Sequence, residues 1–410
     1  MPILLEEQLL YPLPAMHKVR QNFPRPRLDD VEAQVRKEFS KEEISSRIKP
    51  GARVAVAVGS RGIKNLQKIV KEAVNQLKSR GAEPFIVSAM GSHGGGTPEG
   101  QREVLASYGI TEENIGVSVV TSVDVNYIGQ TSCGVSVWFD RAAMEADLIV
   151  PINRVKLHTD FVGDIQSGLC KMLVIGLGNQ KGCSAVHEAE FDHFAEILME
   201  ASRMIMDKAP VGFGIAILEN AYDETAMVET VPSEKIIERE KELVKIAKSY
   251  MPTLMIPDID VLIVDEIGKN ISGSGFDPNI LGKSFLLKKF VLPVPKIKRM
   301  VLFDVTDESH GNAVGVGIFD VITRKVLNKL NLPLMYANAL AVKSPEGSKI
   351  PITADTEEEA IRFAIQLARG ADRDHLKIVR IKNTLELGVI EVSDELLPYA
   401  AAHEKLEVLS

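Results

Sequence analysis

Short apolar runs alternate along the chain with stretches in which apolar positions recur every three or four residues. Residues 53–58 (RVAVAV) form a continuous apolar run of the kind a strand buried on both faces shows. The run ends in Gly59, Ser60, Arg61 and Gly62. Residues 64–80 then place Leu66, Ile69, Val70, Ala73, Val74 and Leu77 at helical spacing before Gly81 stops the helix. The unit repeats. Residues 84–90 predict a second strand, which runs into the loop Gly91-Ser92-His93-Gly94-Gly95-Gly96, and Thr97 then caps a helix reaching about Tyr108. A third strand is predicted over 146–152, ending at Asn153. Helices are predicted from about Leu28 to Lys49, over 184–207 with His187 near its start, and over 233–249. The Pro-containing segment 250–258 reads as a boundary, followed by strands at 259–264 and 300–303 and a helix at 357–370. Buried strands alternating with helices predict an α/β fold of two domains, each a mostly parallel or mixed sheet flanked by helices. The expected domains are 1–255 and 256–410, with terminal elements free to pass from one to the other.

Composition narrows the picture mainly by exclusion. A chain of 410 residues suits two domains, and 45% apolar with 25% charged residues is ordinary usage for a globular protein. The net charge of -8 gives no electrostatic footprint for nucleic acid or an anionic membrane surface. A single Trp and 5% aromatics make no stacking platform for single-stranded nucleic acid. No apolar run is long enough to span a bilayer, and the first residues lack the basic region of a signal peptide. Cys133, Cys170 and Cys183 form no CxxC and no disulfide framework. These features set the expectation of a cytoplasmic protein with no nucleic-acid and no membrane partner.

Chemistry is expected beyond the carboxyl ends of the strands, where open α/β sheets bind their ligands, and at an interdomain cleft. Arg61, His93, His158, Glu266 and Lys269 all follow predicted strands. Each alone has a plain reading as a surface charge or loop residue; their coincidence is the signal. The loop GSHGGGT lets backbone N–H groups approach an anion, but it does not spell GxGxxG. The segment 176–182 (GLGNQKG) has one residue too many for a dinucleotide fingerprint, and 277–284 (DPNILGKS) puts an aspartate where a P-loop needs glycine. Neither HExxH nor paired cysteines mark a metal site. Lys171 lies among apolar residues, so it either snorkels outward or is held as a neutral amine able to form a covalent bond. His187 reads either as a packed helix residue or as a ligand. His17, His375 and His403 are left as structural or surface residues, and His310 is the remaining histidine expected to face a cleft.

Taken together, these positions resemble the nickel-pincer-dependent lactate racemase family. In that family a lysine is covalently tethered to a pyridinium-derived mononucleotide holding nickel, and a histidine sixteen positions later completes the coordination; Lys171 and His187 have that separation. His93 and Arg61 look like the first catalytic histidine and its strand-ending arginine, and His158 looks like the second catalytic histidine. The resemblance implies that Ser60 and Arg61 lie beside the cofactor. It also implies that Arg61, Glu266 and Lys269 line the substrate, with Glu266 standing where the family has glutamine. Other departures are Cys170 in place of an arginine, Val58 in place of an aspartate, a longer gap between His158 and Lys171, and no Trp beyond Trp138. The resemblance therefore implies a racemase or epimerase acting on the hydroxyl-bearing carbon of a 2-hydroxy acid, lactate-like or a longer sugar acid. Nickel and a nickel-pincer mononucleotide on Lys171 would be supplied by cofactor-synthesis proteins. Three other readings stay open: a nicotinamide-dependent hydroxy-acid enzyme, a zinc enzyme using His93, His158 and His187, and a non-catalytic nucleotide-binding homologue. Monomer and homo-oligomer are both open.

Overall fold

The apolar runs build two sheets, and each sheet organises a unit of its own. The structure, a computed structural model, describes residues 11–60 and 62–409. One unit spans Pro24–Met251. Its six-stranded sheet runs in the order Val119–Val120, Glu83–Ser88, Arg53–Val58, Leu148–Arg154, Phe213–Glu219, Thr225–Pro232, parallel except for the last pair. The central strands are apolar over most of their length because both faces are covered. Val54, Val56, Val58 and Ile86 share one core with Ile69, Val74 and Leu77 of the helix Leu66–Ser79. Each such side chain contributes about 1.5–3 kcal/mol through removal from water. Thr97 caps the helix Pro98–Ser107, its hydroxyl accepting the N–H of Gly100 at 3.2 Å.

The other unit spans Met1–Phe23 and Pro252–Ser410. Its mixed eight-stranded sheet runs in the order Ile352–Ala354, Val321–Thr323, Lys296–Val305, Asp258–Ile267, Ile378–Ile381, Val389–Ser393, Met16–Gln21, Leu406–Val408. The first five strands are parallel and the remaining pairings antiparallel. Met16–Gln21 falls within the expected first domain but is a strand of this second sheet. It finds a ladder on both sides there, and Gln21, fully buried, donates its amide to Leu387 O at 2.8 Å.

The helix expected over 184–207 is two helices. Asn179–His187 is one, Phe194–Lys208 the other, and a short 3-10 turn over Phe191–His193 separates them. Between Val186 and Phe194 the chain presents His187, Glu188 and Glu190 to solvent, which interrupts the amphipathic pattern. His187 therefore closes a helix rather than opening one. The lysine segment forms a short helix, Leu169–Lys171, that passes into a π-helical turn, Met172–Gly176. Such turns concentrate at functional sites. Among the described residues no helix is long and apolar enough to cross a membrane.

Candidate active site

Three adjacent parallel strands of the Pro24–Met251 unit deliver loops at their carboxyl ends, and these loops meet. After Arg53–Val58 come Gly59 and Ser60; Arg61 lies outside the described residues. After Glu83–Ser88 the glycine-rich loop turns back over the segment that follows Lys171. Gly91 has φ +60° and donates its N–H to Gly176 O at 3.0 Å. A Cβ on it would lie 3.1 Å from Ile175 O, so the loop's approach requires glycine. Gly94, with φ +64°, is pressed onto the backbone of Gly100. The loop presents His93, which is exposed and whose Nδ1 is hydrogen-bonded to the Ser60 hydroxyl. That contact orients the ring and leaves Nε2 as the outward nitrogen.

The third strand, Leu148–Arg154, leads into the loop that places His158 against Lys171. Asn153 donates its amide to Gly168 O at 2.8 Å, and the backbone of Lys156 pairs with that of Ser167. Gln166 Oε1 accepts the His158 N–H at 2.6 Å. Lys171 Nζ then lies 2.6 Å from His158 Nε2. The Asp160 N–H donates to His158 Nδ1 at 3.0 Å, and the ring turns Nε2 toward the Lys171 amine. A lysine amine is nucleophilic in its neutral form.

His187 joins the same cluster through ring and thiol contacts. The His158 ring stacks on Phe161 with centroids 4.4 Å apart, Phe161 meets Phe194 at 5.2 Å, and Phe194 meets His187 at 5.3 Å. His187 Nδ1 donates to Cys183 O at 2.7 Å, while Cys183 Sγ lies 3.5 Å from the same nitrogen and 3.7 Å from Ser92 Oγ in the His93 loop. Burial opposes charge on both Cys183 and His187. Their mutual hydrogen bond and attraction outweigh it, drawing the thiol below and the imidazole above its ordinary value, and the nearby charge of Lys171 pulls His187 back down. Ser60, His93, His158, Lys171 and His187 thus belong to one set of loops joined by Ser92, Cys183, Phe161 and Phe194. Sequence reasoning missed these four joining residues, which carry no motif of their own.

Glu266 and Lys269 stand in the other unit, at and beyond the carboxyl end of Asp258–Ile267. Glu266 Oε1 accepts the Asn383 amide at 2.9 Å. Lys269 donates its N–H to Ser309 Oγ at 2.8 Å and its Nζ to Gly273 O at 2.5 Å. The next residue after Ser309 is the exposed His310, in left-handed conformation. Among the described residues, no three His, Cys, Asp or Glu side chains are grouped to hold a metal ion, so His93, His158 and His187 do not form a zinc site by themselves.

A buried carboxyl sets the angle between the two halves of the cofactor-like segment. Asn179, left-handed and fully buried, separates the π-helical turn from the helix of His187. Its amide donates to Asp140 Oδ2 at 2.8 Å, and Asp140 Oδ1 accepts the Ala143 N–H at 2.8 Å. Burial pushes the Asp140 carboxyl up to about 6. A carboxyl raised above its unfolded value near 3.9 favours folding when protonated; that advantage is complete below the unfolded value and is lost as pH rises through about 6. The wild-type chain is expected to lose about 2 kcal/mol from this group between pH 4 and 7. Asp140→Asn should flatten that part of the profile, as read by denaturant unfolding at both pH values.

The fold and site define an α/β protein with a histidine-and-lysine cluster at the carboxyl ends of a parallel sheet. The lactate racemase N-terminal domain model matches residues 13–197, which include every member of that cluster. The similarity to the lactate racemase family runs through this domain. The solved lactate racemase apoprotein from Thermoanaerobacterium thermosaccharolyticum superposes with a TM-score of 0.51 at 15% identity, over 91% of this chain and 99% of that one, a likeness of fold. No curated protein sequence matches the chain significantly.

Proposed function

We propose that the protein is a racemase or epimerase that inverts the hydroxyl-bearing carbon beside the carboxylate of a 2-hydroxy acid, using a nickel-pincer mononucleotide tethered to Lys171. The observation that carries this reading is the contact of the Lys171 amine with His158 Nε2, 2.6 Å apart, in a segment that matches the lactate racemase N-terminal domain. The donor set fits the cofactor at two points. Lys171 is a half-buried amine beside a ring nitrogen. His187, exposed at a helix end, has Nδ1 anchored on a carbonyl, which leaves Nε2 as the lone-pair nitrogen; metal-binding histidines are held in this way. Lys171 would hold the nucleotide and His187 the nickel, with Ser60 and Arg61 beside them.

When bound, this group supplies a reversible acceptor for the hydrogen on C2, a C–H too weakly acidic for a histidine to remove as a proton. The chain's own residues do the rest. His93 and His158 act on the hydroxyl. One withdraws its proton as C2 becomes planar and the other returns a proton on the opposite face, and an imidazole is suited to both duties. Ser60 holds His93 through Nδ1, so proton transfer runs through Nε2. With Lys171 engaged by the cofactor, His158 Nε2 would be left to serve the substrate. Arg61 would bind the carboxylate, where a guanidinium engages two oxygens at once, and Lys269 is a further candidate substrate-binding cation. Glu266, a hydrogen-bond acceptor in place of a neutral amide, receives an extra hydroxyl of a longer sugar acid. Loading requires cofactor-synthesis proteins, and the site of action is the cytoplasm. A chiral chromatographic screen of 2-hydroxy acids and aldonates tests the reading, using protein made with the cofactor pathway. Conversion of at least one pure enantiomer toward a mixture is expected; absence of inversion across the set in cofactor-loaded protein would overturn it.

A further inference from the structure

Helix Ile236–Tyr250 carries a residue that its amphipathic pattern does not explain. Glu240 falls in line with Ile236, Leu243, Val244 and Ala247 on the buried face and is itself wholly buried. An apolar residue there would avoid the cost of taking a carboxylate out of water. The carboxyl instead sits at the start of the lysine helix. Its Oε2 accepts the N–H of Cys170 at 3.0 Å, and the Leu169 N–H also steadies its charge. Oε1 has no hydrogen-bond partner, so the group is committed to one side. The backbone is shaped to admit it: a Cβ on Gly168 would lie 2.6 Å from the carboxyl carbon. Burial pushes Glu240 up to about 7, and the Cys170 thiol beside it is pushed well above its ordinary value, which leaves that cysteine unreactive.

The N–H groups that Glu240 holds are those a helix start leaves without partners. Lys171 is the last residue of that first turn, and the π-helical turn follows at once. A short helix that changes pitch immediately is marginal by itself, so the direction of Lys171 depends on what fixes its beginning. We infer that Glu240 is a positioning residue for Lys171: by holding the N–H groups of Leu169 and Cys170, its carboxyl fixes the turn that aims the lysine amine at His158 Nε2. The functional meaning rests on the reading of Lys171 as the tether, but the juxtaposition does not depend on any cofactor.

The test reads the amine itself. The full chain, made without the cofactor pathway, is methylated with formaldehyde and cyanoborohydride at pH 7, and peptide masses give the rate at Lys171 relative to the exposed Lys245 and Lys349. The wild-type ratio is the reference, since it reads how the Lys171 amine is presented beside His158. Glu240→Leu is expected to lower the ratio by about tenfold, the equivalent of one charge-assisted hydrogen bond. Glu240→Gln, which keeps an acceptor oxygen for the two N–H groups, should stay within about threefold of wild type. Gly168→Ala, which drives a methyl group into the carboxyl, should reproduce the Leu result and replaces it if the Leu variant does not fold. An unchanged ratio in Glu240→Leu or Gly168→Ala overturns the inference, as does an equal fall in the Leu and Gln variants. Failure of the wild type to take up cofactor would refute the proposed function while leaving these ratios as they are.

Discussion

Lys171→Ala is expected to abolish inversion of any substrate the wild type racemises, lowering kcat by more than about 10³-fold, because residues that act as one unit lose nearly the whole effect when a single member is removed. The expectation follows from the position of the amine. Lys171 is half-buried, its Nζ rests on His158, and its neighbours Leu169, Cys170, Met172 and Leu173 are buried apolar side chains that would hold its backbone in place without it. The variant should therefore fold and keep a wild-type unfolding midpoint, while intact mass shows no adduct after production with the cofactor pathway. Lys171→Arg separates charge from nucleophilicity. A guanidinium stays protonated and cannot form the tether, so it should fail as completely as alanine. Retained inversion in either variant would mean that the amine is not the attachment point.

The second large effect concerns the histidines. His93→Asn and His158→Asn are each expected to lower kcat by about 10²–10⁴-fold, the usual contribution of a positioned general acid or base. Both should act in both directions, since a ring that serves as base for one enantiomer serves as acid for the other. The two variants should differ in what else they lose. His93 is held from Ser60, and its loop meets the lysine segment through Gly91, so His93→Asn should load cofactor normally. His158 contacts Lys171 directly, so His158→Asn should also reduce the fraction of chains that carry the adduct. Rates are to be normalised to occupancy by mass spectrometry. Equal occupancy in both variants would contradict the contact's role in loading, and a variant that slows one direction only would contradict the paired acid and base.

Much of this was legible in the sequence because the sheet is parallel. A strand buried on both faces writes a continuous apolar run, as in residues 53–58, and the residue after such a run stands at the functional edge. His93 and His158 could be found that way. Their neighbours could not. Phe161 and Phe194 look like ordinary core aromatics, and only the fold shows them linking the rings of His158 and His187. The break after His187 leaves no Gly or Pro in the sequence to mark it, and a short 3-10 turn at Phe191–His193 makes it. Met16–Gln21 was assigned by chain position, whereas its partners lie almost four hundred residues on, at Val389–Ser393 and Leu406–Val408. Glu240 did leave a signal: a glutamate in the apolar stripe of an otherwise regular amphipathic helix. Such a breach of pattern marks a buried polar partner whose identity only tertiary contacts supply.

The amine of Lys171 as the anchor of a nickel-bearing nucleotide is the claim on which the rest depends. Intact-protein mass together with nickel and sulfur analysis, on chain produced with the cofactor-synthesis proteins, tests it most directly. The account predicts a mass increment that maps to the Lys171 peptide, with nickel bound in proportion and absent from Lys171→Ala. An unmodified Lys171 in protein that still inverts a 2-hydroxy acid would contradict it.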